Sequence, residues 1–225
     1  MRFKRLQVEQ FQAMPARPGS PDYENAAPKR KVTEVGASRL RDPEPLIPGS
    51  HKPLSEGDSK LLTEEEAQCV AAAINGRRKL CHWKRLYCSE ADGFSLQTLY
   101  RAGAAAHYSV LLVEDFSGHV FGAYCTADLK VCPRYSGNGE CFVFQTRPHR
   151  VKYDWHQLQG GARNDFFMMV SNESLGIGGA PHFAIWLDSD LLYGNSGLCA
   201  TFSSPCLAGD EDFKVKSVEL WGLRT

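Results

Sequence analysis

No run in this sequence approaches the ~18 consecutive apolar residues that a bilayer-spanning helix needs. Met1-Arg-Phe-Lys-Arg-Leu-Gln-Val-Glu-Gln10 also lacks the apolar segment that follows the charged start of a secretory leader. A soluble intracellular protein is the expectation, which leaves the sequon Asn172-Glu-Ser174 unused. The chain has eight cysteines but no C-x-x-C. In a reducing compartment they read as free, mostly buried thiols rather than a disulfide framework. Three pairs share the spacing C-x6-C (81/88, 125/132 and 199/206). Positions seven apart on a strand face opposite sides of a sheet, so this spacing alone builds no site.

Catalytic and metal patterns are missing as well. There is no H-E-x-x-H, and no two of the seven histidines stand four apart, which removes the common zinc helix. In Gly194-Asn-Ser-Gly-Leu198 a glycine directly follows the serine where a nucleophile elbow needs a spacer. Asp188-Ser-Asp190 opens like a calcium loop, but Leu192 and Cys199 occupy later ligand positions. Gly176-Ile-Gly-Gly179 has neither the lysine nor the ensuing helix of a phosphate loop. Cys81-His82 is the one adjacent Cys-His pair, and on a strand its side chains point apart. No catalytic residue, metal ligand or cofactor site is therefore assigned.

Charge is balanced overall, 26 Lys and Arg against 26 Asp and Glu, yet unevenly placed. Residues 1–55 carry ten basic and six acidic side chains, and residues 56–225 carry sixteen and twenty. An acidic folded part argues against a nucleic-acid partner. Eight of the twelve prolines fall in the first 55 residues among scattered apolar positions. That segment reads as a disordered, Pro-rich basic tail, and Lys29-Arg-Lys31 within it reads as solvated charge before it reads as a nuclear signal. Residues 60–225 are expected to form one domain.

Order is expected to begin at Thr63-Glu-Glu-Glu66, a capping box, with a helix running to Ile74 and stopping at Asn75-Gly76. Ala67, Val70, Ala71 and Ile74 supply its buried stripe. A second short helix follows Ser95, which is placed to cap it. From Leu80 onward the pattern is one of short β runs. Val110-Leu-Leu-Val113 and His119-Val-Phe-Gly-Ala-Tyr124 flank Asp115-Phe-Ser-Gly118 as a hairpin. Further runs cover residues 141–146, 151–155, 166–170, 182–187, 198–202 and 215–220. Many short strands at this spacing predict a mainly β, α+β fold, an antiparallel two-sheet sandwich flanked by a few helices.

Asp92-Gly-Phe-Ser-Leu-Gln-Thr-Leu-Tyr100, Phe121-Gly-Ala-Tyr124, Tyr135-Ser-Gly-Asn-Gly-Glu140, Phe142-Val-Phe144, Asn164-Asp-Phe-Phe167, Trp186-Leu-Asp-Ser-Asp190, Cys199-Ala-Thr-Phe202 and Val218-Glu-Leu-Trp-Gly222, in this order, resemble the TLDc family of oxidation-resistance proteins and their relatives. The resemblance implies a β-sandwich of two antiparallel sheets. It makes Trp83, Phe121, Phe142, Phe144, Trp186 and Trp221 chiefly inter-sheet core. It also implies a non-catalytic module that binds the cytosolic sector of the vacuolar proton-pumping ATPase and supports resistance to oxidative stress. Such a module would be a monomer, cytoplasmic or peripheral to endolysosomal membranes, with the nucleus as an alternative. A thiol-based peroxide-detoxifying enzyme or scavenger, and a structural interaction domain with another partner, stay open beside it.

Two departures from the family pattern stand out: Leu129 in Asp128-Leu-Lys130 where relatives carry a tryptophan, and Gly178-Gly-Ala-Pro181 where they have a longer glycine run. Pro181 stiffens that loop. The partner-contacting edge is expected at Gly178, Gly179, Asp188 and Asp190, where glycine permits close backbone approach and exposed carboxylates steer toward a basic surface.

Overall fold

A computed structural model describes residues 44–54, 58–155 and 164–224. The tail through residue 43 lies outside the described residues.

Helix α1 (Glu64–Ala73) begins as its sequence dictates. The Thr63 hydroxyl accepts the Glu66 amide at 3.2 Å, and the Glu66 carboxylate accepts the Thr63 amide at 2.8 Å. Glu64, Glu65 and Glu66 crowd the positive end of the helix dipole. Ala67, Val70, Ala71 and Ile74 are all buried. A 3-10 turn (Gly76–Leu80) leads into strand β2 (His82–Cys88), the single-turn helix α2 (Ser89–Asp92) and helix α3 (Leu96–Gly103). Ser95 caps α3 by accepting the Thr98 amide at 3.3 Å.

Ten more strands complete one antiparallel sheet: β1 (Glu44–Pro45), β3 (Ser109–Asp115), β4 (Val120–Cys125), β5 (Phe142–Arg147), β6 (Val151–Asp154), β7 (Met168–Val170), β8 (Ser174–Ile177), β9 (Ile185–Asp188), β10 (Tyr193–Asn195) and β11 (Asp212–Arg224). Their order is β1-β6-β5-β4-β3-β11-β10-β9-β8-β7, with β2 also paired to β11. The β3–β4 hairpin turns where expected, with Gly118 at φ 85°. Strands β8 and β10 were not read from the sequence. Residues 198–202 are not a strand; Cys199 instead makes isolated bridges to Pro181 and Ser204.

The mainly β, antiparallel character agrees with the sequence reading. The hydrogen bonding, however, runs as one continuous sheet rather than two. The reason is β11, whose 13 residues pair with β10 at one end, β3 in the middle and β2 at the other. Register shifts between Val215 and Ser217 and between Leu220 and Trp221 have the form of bulges, which bend and twist a strand.

Two clusters of buried side chains result. One gathers side chains of β3–β5 and of β7–β9, for example Val113, Phe121, Val143, Ile185 and Leu187. The Phe121 and Phe213 rings meet edge to face there at 5.3 Å. The other lies on the opposite face of β3–β5 beneath α1, with Leu46, Leu61 and Leu62. Alternation along β3 divides it cleanly: Leu111 and Val113 enter the first cluster, Val110 and Leu112 the second.

Five of the six aromatics expected in the core, Trp83, Phe121, Phe142, Phe144 and Trp221, are buried, but on two faces of the sheet. Phe121 alone of the six expected residues belongs to the cluster shared by the two flanks of the sheet. Trp83, Phe142, Phe144 and Trp221 are buried on the other face under α1. Trp186 is only half-buried. Its neighbours Ile185 and Leu187 point inward, so strand alternation turns the indole outward.

The segment 44–54, assigned to the tail on composition, is part of the fold. Glu44 pairs with Lys152 and Pro45 with Val151 on β6. Leu46 is buried, and the Trp83 amide donates to the Pro53 carbonyl at 2.8 Å. Prolines suit this role, because an edge needs few donors from the segment that covers it.

Candidate functional site

The glycine loop is a packing joint rather than an open edge. Gly178 has φ 81°, and a Cβ there would lie 2.5 Å from the Cys199 sulfur. A Cβ on Gly179 would come 2.9 Å from Cβ of Phe166. The Gly178 amide donates to the Phe167 carbonyl at 2.8 Å, while the Gly179 carbonyl accepts the Thr201 hydroxyl at 3.1 Å. Thr201 also reaches the Asn164 side-chain oxygen at 3.2 Å. Asn164-Asp-Phe-Phe167, the two glycines and Cys199-Ala-Thr-Phe202 thus form one interlocked unit. Both glycines are buried.

Asp188 and Asp190 sit elsewhere and differ from each other. The β8–β9 register places Ser174 opposite Asp188 and Ile177 opposite Ile185. The acidic turn and the glycine loop therefore occupy opposite ends of that strand pair, roughly 10 Å apart at the usual rise per residue. Asp188 is 6% exposed, and its Oδ1 accepts the amides of Leu192 at 3.0 Å and Tyr193 at 3.2 Å. It closes its own turn and is buried, not exposed as expected. Asp190 is exposed. Helix α3 docks on the same turn through the Leu96 amide and the Ser189 carbonyl at 3.0 Å, and Tyr100 Oη donates to the Ser174 carbonyl at 2.8 Å. The expected four-residue edge is not assembled. In its place the outer surface carries Asp190, the half-buried Trp186 and the exposed Leu192 and Tyr193.

Cys69, Cys81, Cys88, Cys125, Cys141 and Cys199 are buried, and Cys132 and Cys206 half-buried. Burial pushes the thiols of Cys69, Cys81, Cys125, Cys141, Cys199 and Cys206 above the ordinary range. A raised thiol carries less of the nucleophilic thiolate at neutral pH. Cys81 and His82 diverge as expected, the thiol buried and the imidazole exposed. Among the described residues no group of three or more His, Cys, Asp or Glu is arranged to hold a metal ion.

One buried carboxylate escaped the sequence reading. Glu219 is fully buried on β11 and accepts the Ser59 hydroxyl at 2.6 Å, the Lys60 amide at 2.9 Å and the Trp221 indole N–H at 2.9 Å. It ties the segment preceding α1 to the centre of the sheet. Its one local sign was a charged residue inside the apolar run Val218-Glu-Leu-Trp221.

A family model described as the TLDc domain matches residues 55–224. Over 171 residues the chain is 34% identical to human nuclear receptor coactivator 7, a match covering 75% of this chain and 18% of that protein. Over 177 residues it is 37% identical to bovine oxidation resistance protein 1, covering 78% of this chain and 20% of the relative. The chicken nuclear receptor coactivator 7 is 31% identical over 207 residues, 89% of this chain and 22% of its own length. The chain thus spans about a fifth of the length of these relatives.

Proposed function

The chain belongs to the TLDc domain family, and from that membership we propose that it is a non-catalytic interaction domain that binds the cytosolic sector of the vacuolar proton-pumping ATPase and supports resistance to oxidants. The observation that carries this reading is the match over residues 55–224 to a domain shared with proteins named for oxidation resistance. The internal chemistry supports it. Asn164, Thr201, Asp188 and Glu219 spend their hydrogen bonds holding loops and strands together. The buried thiols are biased toward the unreactive form.

Immobilised full-length chain incubated with detergent-solubilised endolysosomal membranes is expected to retain subunits of the pump's cytosolic sector. It is also expected to show no catalytic turnover of hydrogen peroxide with a dithiol reductant. Absence of pump subunits together with sustained peroxide turnover would replace the adaptor by a thiol enzyme.

A further inference from the structure

A groove of about 720 Å³ opens where the end of α3, the 3-10 turn and the paired ends of β2 and β11 meet. Its floor is made of small and apolar groups, Ala102, Ala106, Leu86 and Gly222. Leu86 lies directly over Gly222, where an added Cβ would come 2.8 Å from the leucine Cδ1. The walls are basic. Arg78 and Arg224 both line the groove. The β2–β11 register sets Lys84 opposite Gly222 and His82 opposite Arg224, and residues opposite one another in an antiparallel pair share a face. Both side chains therefore stand on the face of Gly222, beside the groove rather than among its lining residues.

Arg78 is held firmly in place. Its Nε donates to Tyr124 Oη at 3.1 Å, its guanidinium lies 4.2 Å from the centre of the Tyr108 ring, and Glu140 pairs with it. Lys84 and Arg224 have no acidic partner among the described residues. Among the described residues no acidic side chain lines the groove, although residues 56–225 as a whole carry twenty acidic against sixteen basic groups. A basic trough on an acidic domain is a local exception.

We propose that this groove is a docking site for an extended acidic segment of a partner protein, with carboxylates meeting Lys84, Arg78 and Arg224 and small side chains lying on the alanine and glycine floor. Charge complementarity selects the occupant.

The test titrates ¹⁵N-labelled full-length chain with a blocked dodecapeptide of alternating Glu and Ala. Amide shifts are expected to concentrate at Ala105, Ala106, Gly222 and Arg224. The double charge reversal K84E/R224E should weaken binding at least tenfold without moving the melting temperature. The control K214E/K216E, at the other end of β11, should leave affinity unchanged. Lack of binding at millimolar peptide overturns the proposal, as do equal affinity for a Lys-Ala peptide, shifts scattered away from the groove or equal loss in the control. Two other results would reassign the groove. Co-sedimentation with phosphatidylserine vesicles that K84E/R224E abolishes, without peptide shifts, would make it a lipid site. Self-association of the wild type that the same variant abolishes would make it a dimer contact.

Discussion

Glu219 and Trp221 stand two apart on β11 with both side chains fully buried, the carboxylate accepting the indole N–H at 2.9 Å. The same carboxylate holds Ser59 and the Lys60 amide, so a single acidic side chain joins the tryptophan of the core to the segment that introduces α1.

Replacing Glu219 with Gln preserves shape but sets an amide donor against one of the three donors that the carboxylate now accepts. The expected loss is about 1–3 kcal/mol, the usual effect of an unsatisfied buried polar group. Glu219→Ala, which orphans all three, should cost roughly 3 kcal/mol or more. Urea midpoints measure both. Hydrogen exchange at residues 60–62 should rise in step, and an unchanged midpoint for the alanine variant would remove the anchoring role.

The tryptophans should separate by face. Trp221→Ala is expected to cost about 3–5 kcal/mol because it empties a fully buried site. Trp186→Ala should cost about 1 kcal/mol, the scale of a partly exposed position. Thermal unfolding of the two variants compares them directly, and equal losses would return Trp186 to the core.

Gly178 and Gly118 share a left-handed backbone, at φ 81° and 85°, but differ in surroundings. A Cβ at Gly118 meets nothing within 4 Å, whereas at Gly178 it meets the Cys199 sulfur at 2.5 Å. Gly118→Ala should therefore show the backbone strain alone, about 1–2 kcal/mol. Gly178→Ala should add overpacking of roughly 1–3 kcal/mol. Melting temperatures that fall equally would contradict the interlocked loop.

Thiol accessibility provides an independent check. Brief treatment of the native chain with iodoacetamide at pH 7.5, followed by peptide mass mapping, should label Cys132 and Cys206 first, the two half-buried cysteines. The six buried ones should react only after denaturant is added. Rapid native labelling of Cys125 or Cys199 would reveal an opening of the core.

What the sequence determined by itself was local. The Thr63 capping box, the Ser95 cap, the α1 stripe and the turn at Gly118 each depend on groups within a few residues of one another, so composition and spacing suffice to read them. The family motifs were legible for the same reason, as short strings. The tertiary structure alone decided which face each strand side chain joins, because a sheet offers two faces and only register and covering elements distinguish them. That is why Trp186 turned outward while Trp221 was buried under α1. It also decided that Asp188 closes a turn, that residues 44–54 cover a sheet edge, and that Glu219 meets Ser59 across 160 positions of chain. Contacts made over such separations leave no periodic trace in sequence; they exist once the long, bulged β11 has brought the ends of the chain together.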